Sequence, residues 1–171
     1  MANVNRHYSG DKNTIQVPFL SGTTVQMGDL IFFDDIDNLR NDGSSSATFT
    51  GYPISWLRTS GASLEANKAV VPARFLGVAM SDKDGGPDKP AVKIAVATTG
   101  IFRFNLKPAV TVNTGQLAGP SGTSTGSNMY DQKLMLTTQS AKAIGYFMER
   151  KVHTKTALVR LRSPQGEGVV I

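Results

Sequence analysis

Short apolar runs, separated by polar turns that are rich in glycine, recur along most of the chain. Val92, Ile94 and Val96 alternate with other residues and therefore face one side of a predicted strand. The apolar residues of 157–161 alternate in the same way, with Arg160 pointing to the opposite side. Many short strands with frequent glycine signals predict an all-β protein folded as a compact barrel or sandwich.

A three-part pattern occurs twice in the chain. The first copy consists of V-x-x-G-D-L at 25–30, L-G-x-x-M at 76–80 and K-P-A-V at 89–92. The second copy consists of V-x-x-G-Q-L at 112–117, I-G-x-x-M at 144–148 and K-T-A-L at 155–158. We interpret the repeat as an internal duplication of a β unit. Its glycines and aliphatic residues indicate a structural module rather than a catalytic one.

Changes of composition divide the chain into an arm, a core and a tail. Residues 1–20 are mostly polar and predict an extended N-terminal arm that ends in a short strand. The predicted barrel core covers 21–164 and contains a long polar insertion at 35–62. One short helix is predicted at 64–71, and 165–171 form a C-terminal tail.

The composition limits the class of protein further. The 171 residues suit a single globular domain, and the absence of cysteine excludes disulfides and thiolate chemistry. No apolar run has the length of a signal peptide or a membrane span, which predicts a soluble protein made in a cytoplasm. The net charge of +5 is scattered along the chain, which predicts a solvated surface with some complementarity to a protein partner.

No set of residues in the sequence forms a recognisable catalytic or metal-binding pattern. His7 and His153 are the only histidines, and neither accompanies a nucleophile and an orienting acid. Asp29 follows Gly28 in a predicted turn, where a carboxylate can cap backbone amides, and Gln116 stands at the same place in the second copy. We therefore predict no catalytic residues, no cofactor and no metal.

Two groups of aromatic residues allow more than one interpretation. Phe102 and Phe104 flank Arg103, and this strand favours a core role over stacking of nucleic-acid bases. Tyr52 and Trp56 lie in the polar insertion, where anchoring a partner is as plausible as packing.

The order of several motifs resembles that of the small capsid decoration proteins of tailed bacteriophages. The motifs are G-D-L-I at 28–31, F-L-G-V-A at 75–79, V-K-I-A-V-A at 92–97, T-G-I-F at 99–102, V-x-x-G-Q-L at 112–117, I-G at 144–145 and A-L-V-R-L at 157–161. The resemblance extends over about residues 21–162. It implies a barrel or tulip-like core, assembled as a homotrimer on the outer capsid surface of the virion.

On this hypothesis we also predict which residues meet which partner. The major capsid protein and sister subunits are the expected partners, with neither nucleic acid nor membrane. Capsid contacts are expected from arm residues, namely Arg6, His7, Tyr8, Ile15, Val17 and Phe19. Contacts within the trimer are expected from insertion residues, namely Tyr52, Trp56 and Leu57. The arm could bind by adding a strand to an exposed sheet edge.

Two other functions stay open on the sequence alone. The basic charge and the strand around Arg103 suit a β-barrel that binds single-stranded nucleic acid. A tail or spike component that recognises a host glycan is the third possibility.

Overall fold

The computed structural model describes residues 6–9, 12–34, 50–56, 73–86, 88–122 and 130–163. The predicted helix at 64–71, the tail at 165–171, most of the insertion and Leu57 lie outside these residues. Eleven strands are present in the described residues: β1 (Arg6–Ser9), β2 (Thr14–Phe19), β3 (Leu30–Asp34), β4 (Thr50–Pro53), β5 (Phe75–Ala79), β6 (Val92–Ala97), β7 (Ile101–Val112), β8 (Leu117–Gly122), β9 (Tyr130–Thr137), β10 (Gly145–Phe147) and β11 (Lys151–Leu161). The prediction of an all-β fold is confirmed.

The strands form two sheets. The first has the order β2-β6-β5-β3-β4, and its neighbouring strands are antiparallel. The second has the order β1-β7-β11-β10-β8-β9. A parallel pairing of Leu106 with Leu134 joins β7 to β9 and closes five of its strands into a barrel. Among the helices of the described residues, none has the length and apolarity needed to cross a membrane.

The two sheets are copies of one strand arrangement, which confirms the predicted duplication. The first-sheet order matches β7-β11-β10-β8-β9 strand for strand. In the first half the amide of Gly28 donates to the carbonyl oxygen of Ala79 at 2.8 Å. In the second half Gly115 donates to Phe147 at the same distance. Gly28 and Gly115 have φ of 93° and 83°, a conformation that glycine adopts at little cost.

The duplication is longer than the sequence motifs that revealed it. A hydrogen bond joins the start of the first half to its end. The amide of Thr98, at the end, donates to the carbonyl oxygen of Asn13, at the start, at 2.8 Å. The corresponding bond in the second half runs from Leu161 to Gly100 at 3.0 Å. The repeated unit therefore includes β2 and β7, which precede the first motif of each copy.

The third part of the sequence pattern does not mark equivalent positions in the two halves. The amide of Met80 donates to the carbonyl of Ala95, and that of Met148 donates to Leu158, both at 2.9 Å. Ala95 therefore corresponds to Leu158, whereas the K-x-A pattern matched Val92 to it. The connection before β6 is longer than the one before β11, so similar letters mark different places in the two strands.

The interior of each five-stranded unit is filled by apolar side chains from matching positions. The first interior contains Val17, Phe19, Val25, Ile31, Leu76, Ala79, Ile94 and Val96. Gly51 on β4 lies against β2, because an added Cβ would stand 2.6 Å from Cγ1 of Val17 and 2.7 Å from the ring of Phe19. In the second barrel Leu106 and Leu134 take the places of Phe19 and Gly51. The space is therefore filled from β2 alone in the first unit and from both β7 and β9 in the second, and the interior is apolar in each.

The two five-stranded units share one larger apolar cluster. Leu30, Phe32, Phe75, Val78 and Ala97 of the first sheet are buried in the same cluster as the interior of the second barrel. Polar bonds accompany this packing, since the Leu30 amide donates to Oε1 of Gln132 at 2.7 Å. The outer side of the first sheet is therefore covered by the second half of the chain.

The predicted arm is shorter than its assigned range. β1 pairs with β7 at the edge of the second sheet, with Arg6 opposite Arg103. β2, however, is a core strand that pairs with β6 along its length, and Val17 and Phe19 are fully buried. Alternation of apolar and polar residues reflected burial here, and the arm ends before β2.

Replacement of Gly77 or Gly145 by alanine should destabilise the fold severely. A Cβ at Gly77 would overlap the carbonyl oxygen of Ala97, and one at Gly145 would overlap that of Arg160. Both obstacles are backbone atoms that cannot rotate away, so we expect a loss of about 3 kcal/mol or more in the free energy of unfolding. Urea denaturation followed by circular dichroism measures this.

Gly22 provides the matched control, because an added Cβ would meet nothing within 4 Å. Gly22→Ala should change the free energy of unfolding by less than about 1 kcal/mol. Equal stability of all three variants would contradict the proposed role of the two buried glycines.

Candidate interaction surface

Asp29 has a structural role that explains its burial. Its Oδ2 accepts the amide hydrogen of Gln26 at 2.9 Å, so the carboxylate closes the turn before β3. In the second half Oε1 of Gln116 accepts the amide hydrogen of Asn113 at 2.8 Å. The equivalent backbone amide is therefore capped by a carboxylate in the first half and by a side-chain amide in the second. The prediction that Asp29 caps backbone amides is confirmed.

Exchange of the capping side chain should therefore be tolerated better than its removal. We expect Asp29→Gln to retain much of the stability, because the glutamine of the second half makes the same bond. Asp29→Ala should lower the free energy of unfolding by about 1–2 kcal/mol, since the Gln26 amide loses its acceptor. Thermal unfolding of the two variants measures the difference. Equal losses in both would contradict the capping assignment.

Lys83 is a second buried polar residue, with 6% of its surface exposed. Its ammonium donates to the carbonyl oxygens of Ser21 at 3.0 Å, Thr23 at 2.8 Å and Asp84 at 3.3 Å. Its backbone pairs with Val25. Three carbonyl acceptors engage the three donors of the ammonium, so Lys83 joins two loops and is not free to act as a nucleophile.

The corresponding lysine of the second half is held differently. Lys151 lies opposite Val112 in the ladder, as Lys83 lies opposite Val25. Its ammonium forms an ion pair with Glu149 at 3.2 Å. The backbone of this lysine pairs with a valine in both halves. Its ammonium, however, binds carbonyl oxygens in the first half and a carboxylate in the second.

Lys83 should make stability depend on pH in the alkaline range. Burial lowers its pKa from the usual 10.5, and the Asp84 carboxylate opposes this shift. Between the lowered pKa and 10.5 the unfolded chain binds more protons, so stability rises with pH. This gain is complete above 10.5 and is lost as pH falls through the lowered pKa. The difference in the free energy of unfolding between wild type and Lys83→Met, followed from pH 8 to pH 11, measures this gain. A difference that stays constant or falls as pH rises would contradict the lowered pKa of Lys83.

The histidines occupy separate places in the second sheet. His7 on β1 pairs with Phe102, and His153 lies at an irregularity of β11 with φ of 45°. Among the residues that the structure describes, no group of three or more histidine, aspartate or glutamate side chains is arranged to hold a metal ion.

Burial decides the role of three aromatic residues that were considered for binding: it corrects the role of Tyr52 and confirms that of the other two. Tyr52 is 3% exposed and packs beside Phe32 in the shared cluster, so it cannot anchor a sister subunit. Phe102 and Phe104 are buried inside the second barrel, which rules them out as a base-stacking platform and confirms their core role. Their positions on a central strand explain this burial.

The remaining candidates have different locations. Val17 and Phe19 are core residues and cannot contact a capsid, while Ile15 is partly buried against the first interior. Arg6, His7 and Tyr8 lie on β1. Trp56 ends a 3₁₀ turn that begins at Ile54.

The outer side of the second barrel carries a mixed apolar and cationic surface, which we call the open face. Its members are Ile101, Arg103, Leu117, Tyr146, Leu158 and Arg160. Across the strands Arg160 lies opposite Ile101 and Tyr146, and Tyr146 lies opposite Leu117. Each alternates with buried neighbours, so their side chains point outward.

The charges of the open face are mainly positive. Arg160 is exposed and forms no ion pair with any described residue. Glu149, near the margin of the face, accepts the Leu158 amide hydrogen at 2.8 Å and pairs with Lys151. Sequence reasoning did not identify this surface as a site, although the outward direction of Arg160 was visible in the alternation of β11.

Comparisons with known proteins add no family to this description. No model of a protein family matches the chain, and no curated protein matches it. The fold and surface therefore define a class, an all-β protein of two tandem five-stranded units with one basic outer face.

Proposed function

We propose that the protein decorates the outer surface of a tailed-bacteriophage head as a homotrimer and reinforces the shell against the pressure of packaged DNA. The observation that carries the proposal is the location of the resembling motifs. They form the glycine turns and paired strands of both halves, from residues 28–31 before and within β3 to residues 157–161 at the end of β11. The resemblance therefore lies in residues that form the framework of the fold.

A decoration protein would act by binding alone. A trimer that touches several capsid subunits converts modest contacts into avidity of about 10²–10⁴. If it binds only the assembled, expanded shell, mass action shifts the equilibrium toward that shell. Such a role needs rigid barrels and contact surfaces, and it needs neither a cofactor nor a reactive side chain.

The N-terminal strand is the first candidate for the capsid contact. β1 lies at one end of the second-sheet order, with β7 as its neighbour. An edge strand presents backbone donors and acceptors that an extended segment of another chain can pair with. Arg6, His7 and Tyr8 therefore retain the proposed role, whereas the β2 residues do not.

A second candidate is a barrel that binds single-stranded nucleic acid. The observation in its favour is the presence of Arg103 and Arg160 on the outer face of a five-stranded barrel. The burial of Phe102 and Phe104 removes the stacking residues that suggested it. A tail or spike component would differ in position on the particle, which electron cryomicroscopy of virions distinguishes.

Deletion of residues 2–9 should abolish binding to phage heads and leave a folded trimer. Neither five-strand order includes β1, so both five-stranded units should persist. Co-sedimentation with expanded heads, prepared from a phage that lacks the gene for this chain, measures binding. Circular dichroism and light scattering provide the controls for fold and trimer. Undiminished binding of the deletion variant would contradict the role of β1, and failure of the full chain to bind would overturn the proposed function.

A further inference from the structure

The duplicated fold allows the open face to be compared with its covered counterpart. In the first half Leu30, Val78 and Ala97 lie side by side across three strands, and all are fully buried in the shared cluster. The matching row of the second half consists of Leu117, Tyr146 and Arg160. Leu117 and Tyr146 are partly exposed and Arg160 is exposed. One face of the repeated unit is thus covered within the chain, and the same face of the other unit is not covered by described residues.

The residues of the open face have the composition of a protein interface. Tyrosine and arginine contribute most often to binding energy at such interfaces, and aliphatic residues exclude water around them. Ile101, Leu117 and Leu158 surround Tyr146 and Arg160 in this way. A surface of purely solvating residues would not place three aliphatic side chains on the outside of β7, β8 and β11.

We propose that the open face is a docking surface for an acidic, partly apolar patch on a partner protein. The inference rests on the proposed function, because the outer surface of the capsid shell is the partner that function supplies. Arg160 would pair with a carboxylate of the partner, and Tyr146 with its aliphatic neighbours would fill the apolar contact. The contact is additional to the one made by β1.

The charges favour this occupant over two others. A second copy docked by the same face would present to Arg160 a surface whose charged members are both arginines, and like charges oppose such contact. A nucleic acid would meet the aliphatic centre of the face and the Glu149 carboxylate at its margin, with the aromatic rings of Phe102 and Phe104 inside the barrel. An acidic protein patch offers a carboxylate to Arg160 and apolar contacts to its aliphatic neighbours.

Reversal of one charge on the open face tests the inference. Arg160→Glu should weaken binding to the expanded heads at least about tenfold, as expected for an interface arginine opposite a carboxylate. Arg160→Lys keeps the charge and should retain most of the binding. Tyr146→Ala should weaken binding even in high salt, because its contribution is apolar. Co-sedimentation at several protein concentrations measures each affinity.

Lys93→Glu is the matched control, because Lys93 is exposed on β6 of the first unit and undergoes the same change of charge. It should bind within about twofold of wild type, as expected for a charge outside the contact. Thermal unfolding checks that all variants are folded. Wild-type binding that Arg160→Glu leaves unchanged would overturn this inference and leave the proposed function standing.

Two further results would also count against the docking surface. Absence of wild-type binding to heads would overturn the proposed function together with this inference. Titration with a fluorescent single-stranded oligonucleotide distinguishes the remaining class of partner. If Arg160→Glu removes saturable oligonucleotide binding and leaves head binding unchanged, the face serves nucleic acid and the inference is wrong.

Discussion

Close approach of two backbones at one glycine per half is the constraint on which the architecture depends. At Gly77 and Gly145 the neighbouring carbonyl oxygen occupies the space that any side chain would need. This approach brings the central strand of each unit against the backbone of its neighbour, on β6 in the first unit and on β11 in the second. The same hydrogen bonds around the glycine turns hold both units in one register.

The sequence predicted the fold class and the duplication because both depend on local signals. Glycine turns and the alternation around Val92 and Val159 follow directly from residue identity. The boundary of the arm could not be found in this way, since the polar residues before Val17 and Phe19 concealed a core strand. The misaligned third motif has a related cause, because a difference in loop length is invisible when a short pattern is matched by letters alone.

The candidate surface was predictable only in part. The outward direction of Arg160 follows from strand alternation, but its neighbours come from β7, β8 and β10, and their order is a property of the topology. The burial of Tyr52 likewise depends on packing between the two units. Sequence reasoning identified residues with suitable chemistry and could not decide which of them the second half of the chain would cover.

The difference between the two outer faces also determines how many uncovered faces of this kind one molecule carries. Had both units kept the same uncovered face, each molecule would have carried two equivalent docking surfaces and could have bridged two partner proteins. Fusing the units in one polypeptide uses one of the two faces internally, beneath Leu30 and Val78. Among the described residues a molecule is then left with one such surface, so it can engage one partner patch through this face.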